Sequence, residues 1–176
     1  RDGIGEFYSR AADTMNKIVA LSCALENDGL HTVWVRHNIS FSPGFFRRNI
    51  DAELSRYHSS VLKEFAEHAV DMAFDIPHGK IFDKLAFSAF SNTDFAEVMK
   101  ADNISTLLLT GGFREVCVEA TARDAAKNGF ETYIVDDLAI SDITNRSDRD
   151  NEQFYRAHAE KNIRIVTADQ VKALLP

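Results

Sequence analysis

The chain has 176 residues, 45% of them apolar, which suits one globular domain with its own core. Its 27 acidic against 20 basic side chains leave a net charge of −7, which repels phosphate backbones and anionic lipid, so neither nucleic acid nor a membrane surface is an expected partner. No apolar run reaches the length of a membrane span, and the first residues, RDGIGEF, are unlike a secretory signal.

In chain order, SRAADTMNKIVALSCALEN sets Ala12, Met15, Ile18, Val19, Ser22 and Leu25 on one helical face over Ser9 to Asn27, with Gly29 as the C-cap. HTVWVRH follows as a buried strand. An aromatic loop, NISFSPGFFRRN, leads to a second helical pattern around Leu54 to Met72, with Leu62, Phe65, Ala69 and Met72 at helical spacing. PHG turns the chain into the short strand KIFDK. Asn92 or Thr93 is available to cap a short helix in SNTDFAEVMKADN, and STLLLT is the next strand. LLLTGGFREVCVEATARDAAKNG carries the chain through two glycines into another helix ended by NG. The strand ETYIVDD, a helix near Asp148 to Lys161, the strand IRIVT and a last helix capped by Thr167 and Gln170 complete the series. No repeat, low-complexity tract or linker divides residues 1–176, so a single domain is expected.

Strict alternation of strand and helix, with strands apolar on both faces, predicts an α/β fold, a doubly wound parallel sheet with helices on both faces. Ligands of such sheets bind beyond the carboxyl ends of the strands. Those ends carry Arg36 and His37, then Lys84, then Gly111 to Cys117, then Asp136 and Asp137.

Cys117 and Cys23 each lie inside an amphipathic helix-like run and read as free thiols, as expected of a cytoplasmic protein. A thiolate is favoured at a helix N-terminus, where unpaired N–H groups and the helix dipole stabilise negative charge. Cys117 falls in such a first turn if the helix starts near Arg114 or Glu115, and N–H groups around Phe113 to Cys117 are then available to a tetrahedral oxyanion. By its local pattern alone the same thiol reads first as a space-filler packing helix on sheet.

Lys84 precedes the apolar LAFSAF, which desolvates an ammonium placed near a thiolate, although a solvated strand-end lysine has the same sequence. His37 is a candidate acid, base or pocket wall, or else ordinary surface. Arg114 and Arg36 are candidates to clamp a substrate carboxylate, or to pair with nearby acids. Phe87 and Phe90, with Phe41, Phe45 and Phe46, flank these positions as pocket walls or as core. The six histidines are scattered and no dinucleotide, P-loop or G-x-S-x-G motif occurs, so neither metal nor cofactor is expected.

KLAFSAFSNTDFAEVM together with ISTLLLTGGFREVCVEATARDAAKNGFETYIVDDLAIS resembles the isochorismatase-like family of cysteine hydrolases. The matching positions are Lys84, Ser88, Phe90, Thr93, Thr110, Gly111, Cys117, Val118, Thr121, Ala122, Asp124 and Ala125. The resemblance, dense from Lys84 to Ser141, implies a Rossmann-like sheet of six parallel strands and a homo-oligomer. It also implies an Asp-Lys-Cys triad in which Cys117 attacks a carbonyl, Lys84 supports the charges of Asp and thiolate, and the Asp is the base. Backbone N–H groups at Gly112, Phe113 and Cys117, beside a cis peptide, would bind the oxyanion, and a thioester would form and then be hydrolysed.

Two departures from the family pattern stand out. The family's Asp ends a first strand in an Asp-x-Gln motif that is absent here, so the strand is expected upstream of residue 1, with Asp2 as the fallback base. GFRE replaces the usual small residues and Thr before the cysteine, so Phe113 and Arg114 should reshape the pocket. VRHNISFSPGF also lacks the metal-binding pattern of the family's nicotinamidases. The expected function is therefore hydrolysis of a C–N bond in a small amide, carbamoyl or ureido substrate. The alternatives are an isochorismate-type vinyl ether hydrolase, and a non-catalytic module that binds a small ligand or senses oxidants through Cys117.

Overall fold

A computed structural model describes residues 2–37, 79–141, 148–159 and 162–173. The aromatic loop after Asn38, the helical pattern around Leu54 to Met72, and Phe41, Phe45 and Phe46 all lie outside the described residues.

Helix α1 runs over Asp2–Asn27, seven residues earlier than the periodicity from Ser9 suggests. Ala11, Ile18, Leu21 and Ser22 are its buried positions, with Met15 and Leu25 half-buried beside them. The buried stripe is thus turned slightly from the predicted face: Leu21 joins it, whereas Ala12 and Val19 sit at its margin. Gly29 ends the helix at φ +82°, as its sequence position predicts, with Leu30 N–H donating to Leu25 O (3.0 Å) and Gly29 N–H to Glu26 O (3.0 Å).

Strand β1 (Val33–His37) pairs in parallel with β2 (Lys80–Lys84), in a register that sets His37 directly beside Lys84. A short 3₁₀ turn, Ala89–Ser91, and helix α2 (Phe95–Ala101) follow. The N-cap of α2 is Asp94 rather than Asn92 or Thr93. Those two side chains are engaged locally: Asn92 Oδ1 accepts from Asp94 N–H (3.0 Å) and the Thr93 hydroxyl donates to Asp94 Oδ1 (3.0 Å).

The second sheet has the order β3 (Thr106–Gly112), β4 (Glu131–Ile140), β5 (Ile163–Val166), all parallel. Between β3 and β4 lie a π-turn, Arg114–Val118, and helix α3 (Glu119–Lys127). Helix α4 (Asp148–Ala159) joins β4 to β5, and α5 (Ala168–Lys172) follows β5. Thr167 and Gln170 form the predicted reciprocal capping box at the start of α5.

Burial on both faces of the strands explains the double winding. Val135 and Leu138 of β4 meet Ile18 and Leu21 of α1 and Ala168 and Val171 of α5 on one face. On the other, Leu107 packs with Met99, Ala125 and Phe130, and Ile134 with Ala122, Phe154 and Val118. The α/β class and parallel strands are as expected, but the described strands form two sheets, β1–β2 and β3–β4–β5, not one sheet of six. The sheets are joined through side chains: Trp34 and Leu108 pack against one cluster, Val33, Phe82 and Leu109 against another. Among the described residues no ladder links β1 to β3.

Gly79, just before β2, has φ +92°, and a Cβ there would sit 2.5 Å from the carbonyl oxygen of Thr32. Gly79→Ala is therefore expected to lose more than about 1 kcal/mol of stability, read as a lower urea midpoint. An unchanged midpoint would contradict this close approach of β2 to the segment leading into β1.

Candidate active site

The strand ends assemble the site in two halves. In the first, Lys84 closes β2 and is only 5% exposed, with its ammonium donating to the carbonyl of Phe87. The loop that brings this carbonyl back is folded by neighbouring polar groups. Ser91 Oγ accepts from Ala86 N–H (3.1 Å) and Leu85 N–H (3.3 Å) and donates to Ser88 O (2.8 Å). Asn92 Nδ2 donates to Asp83 O (2.7 Å). Ser88 caps the 3₁₀ turn by accepting from Phe90 N–H (3.2 Å).

In the second half, β3 ends in Gly111, at φ +96°, and Gly112, and the Gly112–Phe113 peptide is cis, where the resemblance places one. Cys117 follows in the π-turn, half-buried and as a free thiol. Phe113 O accepts from Val116 N–H (3.2 Å) and, five residues on, from Val118 N–H (3.0 Å), and the Cys117 N–H lies between these two donors. Sequence periodicity predicts an ordinary α-helical first turn here. The observed turn is wider, a π-turn over Arg114–Val118.

One buried hydrogen bond couples the halves: Ala89 N–H, five residues after Lys84, donates to Thr121 Oγ1 (3.0 Å), four residues after Cys117. The loop leaving β2 and the helix leaving β3 thus meet at the same rim of the fold.

The remaining predicted residues divide between rim and interior. His37 stands beside Lys84 by register, and His37 and Asp2 are placed by backbone alone. Phe87 is half-buried and lends its carbonyl to Lys84. Phe90 belongs to the core, with ring centroids 5.1 Å from Phe95 and 5.8 Å from Phe130. Arg36 pairs with Asp83 (2.7 and 3.1 Å), which raises the pKa of its guanidinium, so its fork is already engaged by a protein carboxylate.

Arg114 is 4% exposed, and of its two expected roles, substrate clamp or partner of nearby acids, its guanidinium takes the second in an interior ion pair. Nη2 lies 2.7 Å from Asp136 Oδ1, Nη1 donates to Asn151 Oδ1 (3.2 Å), and the group stacks 4.1 Å over the Phe154 ring.

Asp136 and Asp137 owe their roles to a bulge in β4. Pairing runs Leu109↔Ile134 and then Gly111↔Ala139, so β3 advances two residues while β4 advances five. Asp136 meets Arg114 and accepts from the Tyr155 hydroxyl (2.8 Å), whereas Asp137 accepts from Ala168 N–H (2.8 Å) at the start of α5. Burial first, and then Asp136, push the Tyr155 pKa above the ordinary tyrosine value. Sequence reasoning missed Asn151, Phe154 and Tyr155, because the alternation of strand and helix does not say which side chain of α4 turns towards β4. Among the described residues no group of three or more His, Cys, Asp or Glu is arranged to hold a metal ion, and no helix is long and apolar enough to cross a membrane.

Parallel strands wound on both faces, with a buried lysine at the end of β2 and a thiol in the turn that follows β3, define a Rossmann-like α/β protein. The chain belongs to the isochorismatase family, whose isochorismatase domain model matches residues 6–170. It is 36% identical over 63 residues to isochorismatase family protein 2A of Dictyostelium discoideum, covering 35% of this chain and 31% of that protein. It is 32% identical over 87 residues to the uncharacterized isochorismatase family protein YrdC of Bacillus subtilis, covering 49% of this chain and 45% of that one. The chain thus spans less than half the length of these curated relatives.

Among solved structures, a cysteine hydrolase from Pseudomonas syringae superposes with a TM-score of 0.66 at 23% identity, over 92% of this chain and 79% of that one. N-carbamoylsarcosine amidase from Thermoplasma acidophilum gives 0.63 at 19%, over 92% and 86%. Pyrazinamidase of Pyrococcus horikoshii, in complex with zinc, gives 0.62 at 21%, over 89% and 86%. At these identities the likeness establishes the fold.

Thr121→Val, close to isosteric, removes the acceptor of the buried Ala89 N–H. A loss of about 1–3 kcal/mol in urea unfolding is expected. Wild-type stability in this variant would show that the two halves of the rim are not coupled through that bond.

Proposed function

We propose that the chain is a cysteine hydrolase that cleaves a C–N bond of a small amide, carbamoyl or ureido substrate through a thioester on Cys117. The observation that carries this reading is the buried ammonium of Lys84 and the half-buried thiol of Cys117, both at the carboxyl ends of parallel strands on segments tied together by the Ala89–Thr121 hydrogen bond. Membership of the isochorismatase family supports it, as do the amidase folds the chain resembles.

In the proposed chemistry the Cys117 sulfur attacks the carbonyl carbon while a carboxylate takes the thiol proton. N–H groups of Gly112, Phe113 and Cys117 hold the oxyanion. The proton passes to the departing nitrogen, the C–N bond breaks, and a thioester remains. The same carboxylate then activates water, which releases the acid and restores the thiol. Lys84 stabilises the carboxylate and the thiolate by charge. His37, by its register beside Lys84, and the half-buried Phe87 are pocket candidates. We place the base on a further parallel strand between β1 and β3, which share no ladder among the described residues, contributed by residues preceding Arg1, with Asp2 as the alternative. Such a strand would bring a carboxylate to the ammonium of Lys84. The substrate is a small molecule, and the homo-oligomer implied by the family resemblance belongs to this proposal.

Cys23, exposed on α1, is a built-in control for the thiol chemistry. At mildly acidic pH iodoacetamide should label Cys117 at least about tenfold faster than Cys23, and Cys117→Ala should abolish hydrolysis of any amide the parent cleaves. Equal labelling together with an active alanine variant would overturn the thioester mechanism.

A further inference from the structure

The Cys117 turn is not a default conformation. A ladder closed by Val118 N–H on Phe113 O is wider than an α-turn and is seen mostly as isolated insertions in helices, so something outside it must hold it. Two charged side chains of the turn, Arg114 and Glu115, are each only 5% exposed, and both reach away from it to fixed partners.

Arg114 bridges three elements. Its Nη2 is 2.7 Å from Asp136 Oδ1 on the β4 bulge, and its Nη1 donates to Asn151 Oδ1 (3.2 Å) on α4. The guanidinium carbon Cζ lies 4.1 Å from the Phe154 ring centroid and 5.6 Å from that of Tyr155. The second oxygen of Asp136 accepts from Tyr155 (2.8 Å), so the acid that holds Arg114 is itself held by the helix Arg114 stacks upon. Glu115, 3.8 Å from Arg114, accepts from the Ser141 hydroxyl (2.9 Å) just beyond β4. One turn along α4, His158 Nε2 lies 3.6 Å from Glu119 Oε1 at the start of α3. Around the guanidinium, the charge of Asp136, one hydrogen bond to Asn151 and the ring of Phe154 act together, a combination that a lysine ammonium does not reproduce.

We propose that Arg114 is a positioning residue for the Cys117 nucleophile, clamping the π-turn to the β4 bulge and to α4 so that the turn holds the thiol in its reactive orientation. This rests on the hydrolase reading above for the role of the thiol, but the clamp itself is independent of that chemistry. It also explains why the chain keeps a bulky charged residue three positions before the cysteine: the residue faces the interior, where it is compensated by Asp136 and Glu115.

The test compares Arg114→Met and Arg114→Lys in the full chain, with thermal melting to establish folding. Peptide mass spectrometry gives the ratio of Cys117 to Cys23 labelling by iodoacetamide, and hydrogen exchange follows the amides of residues 114–118 and 148–159. In Arg114→Met the labelling ratio should fall at least about fivefold, and both amide segments should exchange about tenfold faster together. Arg114→Lys retains the charge but not the fork or the stacking face, and should resemble Arg114→Met.

Unchanged labelling and exchange in Arg114→Met would overturn the proposal, and full rescue by lysine would reduce it to an effect of charge alone and overturn it equally. If Arg114→Met does not fold, Asn151→Ala removes a single contact of the clamp. It should shift labelling and exchange in the same direction by a smaller factor, and no shift would be contrary. If Cys117 of the parent labels no faster than Cys23, the hydrolase reading fails by itself, and the exchange measurement still decides the clamp.

Discussion

An ammonium withdrawn from water at the end of a strand needs acceptors and a negative charge within reach, and Lys84 sets that requirement for the whole rim. The fold meets part of it by turning the chain back so that the Phe87 carbonyl accepts from Nζ, and Ser91 and Asn92 fix that turn through four hydrogen bonds. A thiolate on Cys117 and a carboxylate base would supply the anionic part, which is why the proposed reaction and the packing around Lys84 follow from one constraint. The bond from Ala89 to Thr121 makes the two halves mutually dependent: a shift of the loop after β2 is a shift of the helix after β3.

Much of this was legible in the sequence because it is local. Gly29 announces the end of α1 through its positive φ, and the Thr167–Gln170 pair announces the start of α5 through reciprocal capping. Strands such as TLLLT, apolar on successive residues, announce a sheet covered on both faces. Lys84 and Cys117 were legible as strand-end residues, since parallel strands leave their carboxyl ends at one rim. Cys117 became a specific candidate once the Thr-Gly and Cys-Val-x-x-Thr-Ala-x-Asp-Ala spacing was recognised.

The rest depended on geometry that periodicity does not encode. Arg114 reads as a rim cation until the β4 bulge, which no motif signals, turns Asp136 towards it. Phe90 reads as a pocket wall until Phe95 and Phe130 close around it. The division into two sheets was equally hidden, because β1 and β3 share apolar clusters, Trp34 and Leu108 on one and Val33 and Leu109 on another, without a shared ladder among the described residues. Apart from Phe90 with Phe95, these are long-range relations between residues tens of positions apart.

The central claim is that Cys117 carries the acyl group. A panel of small amides, carbamoyl compounds and ureas incubated with the chain, quenched in acid and analysed by intact mass and peptide mapping, tests it most directly. The account predicts, for a turned-over substrate, an adduct of acyl mass on the peptide containing Cys117, lost on treatment with hydroxylamine and absent from Cys117→Ala. Product formation at an undiminished rate by Cys117→Ala, with no adduct on the parent, would contradict it.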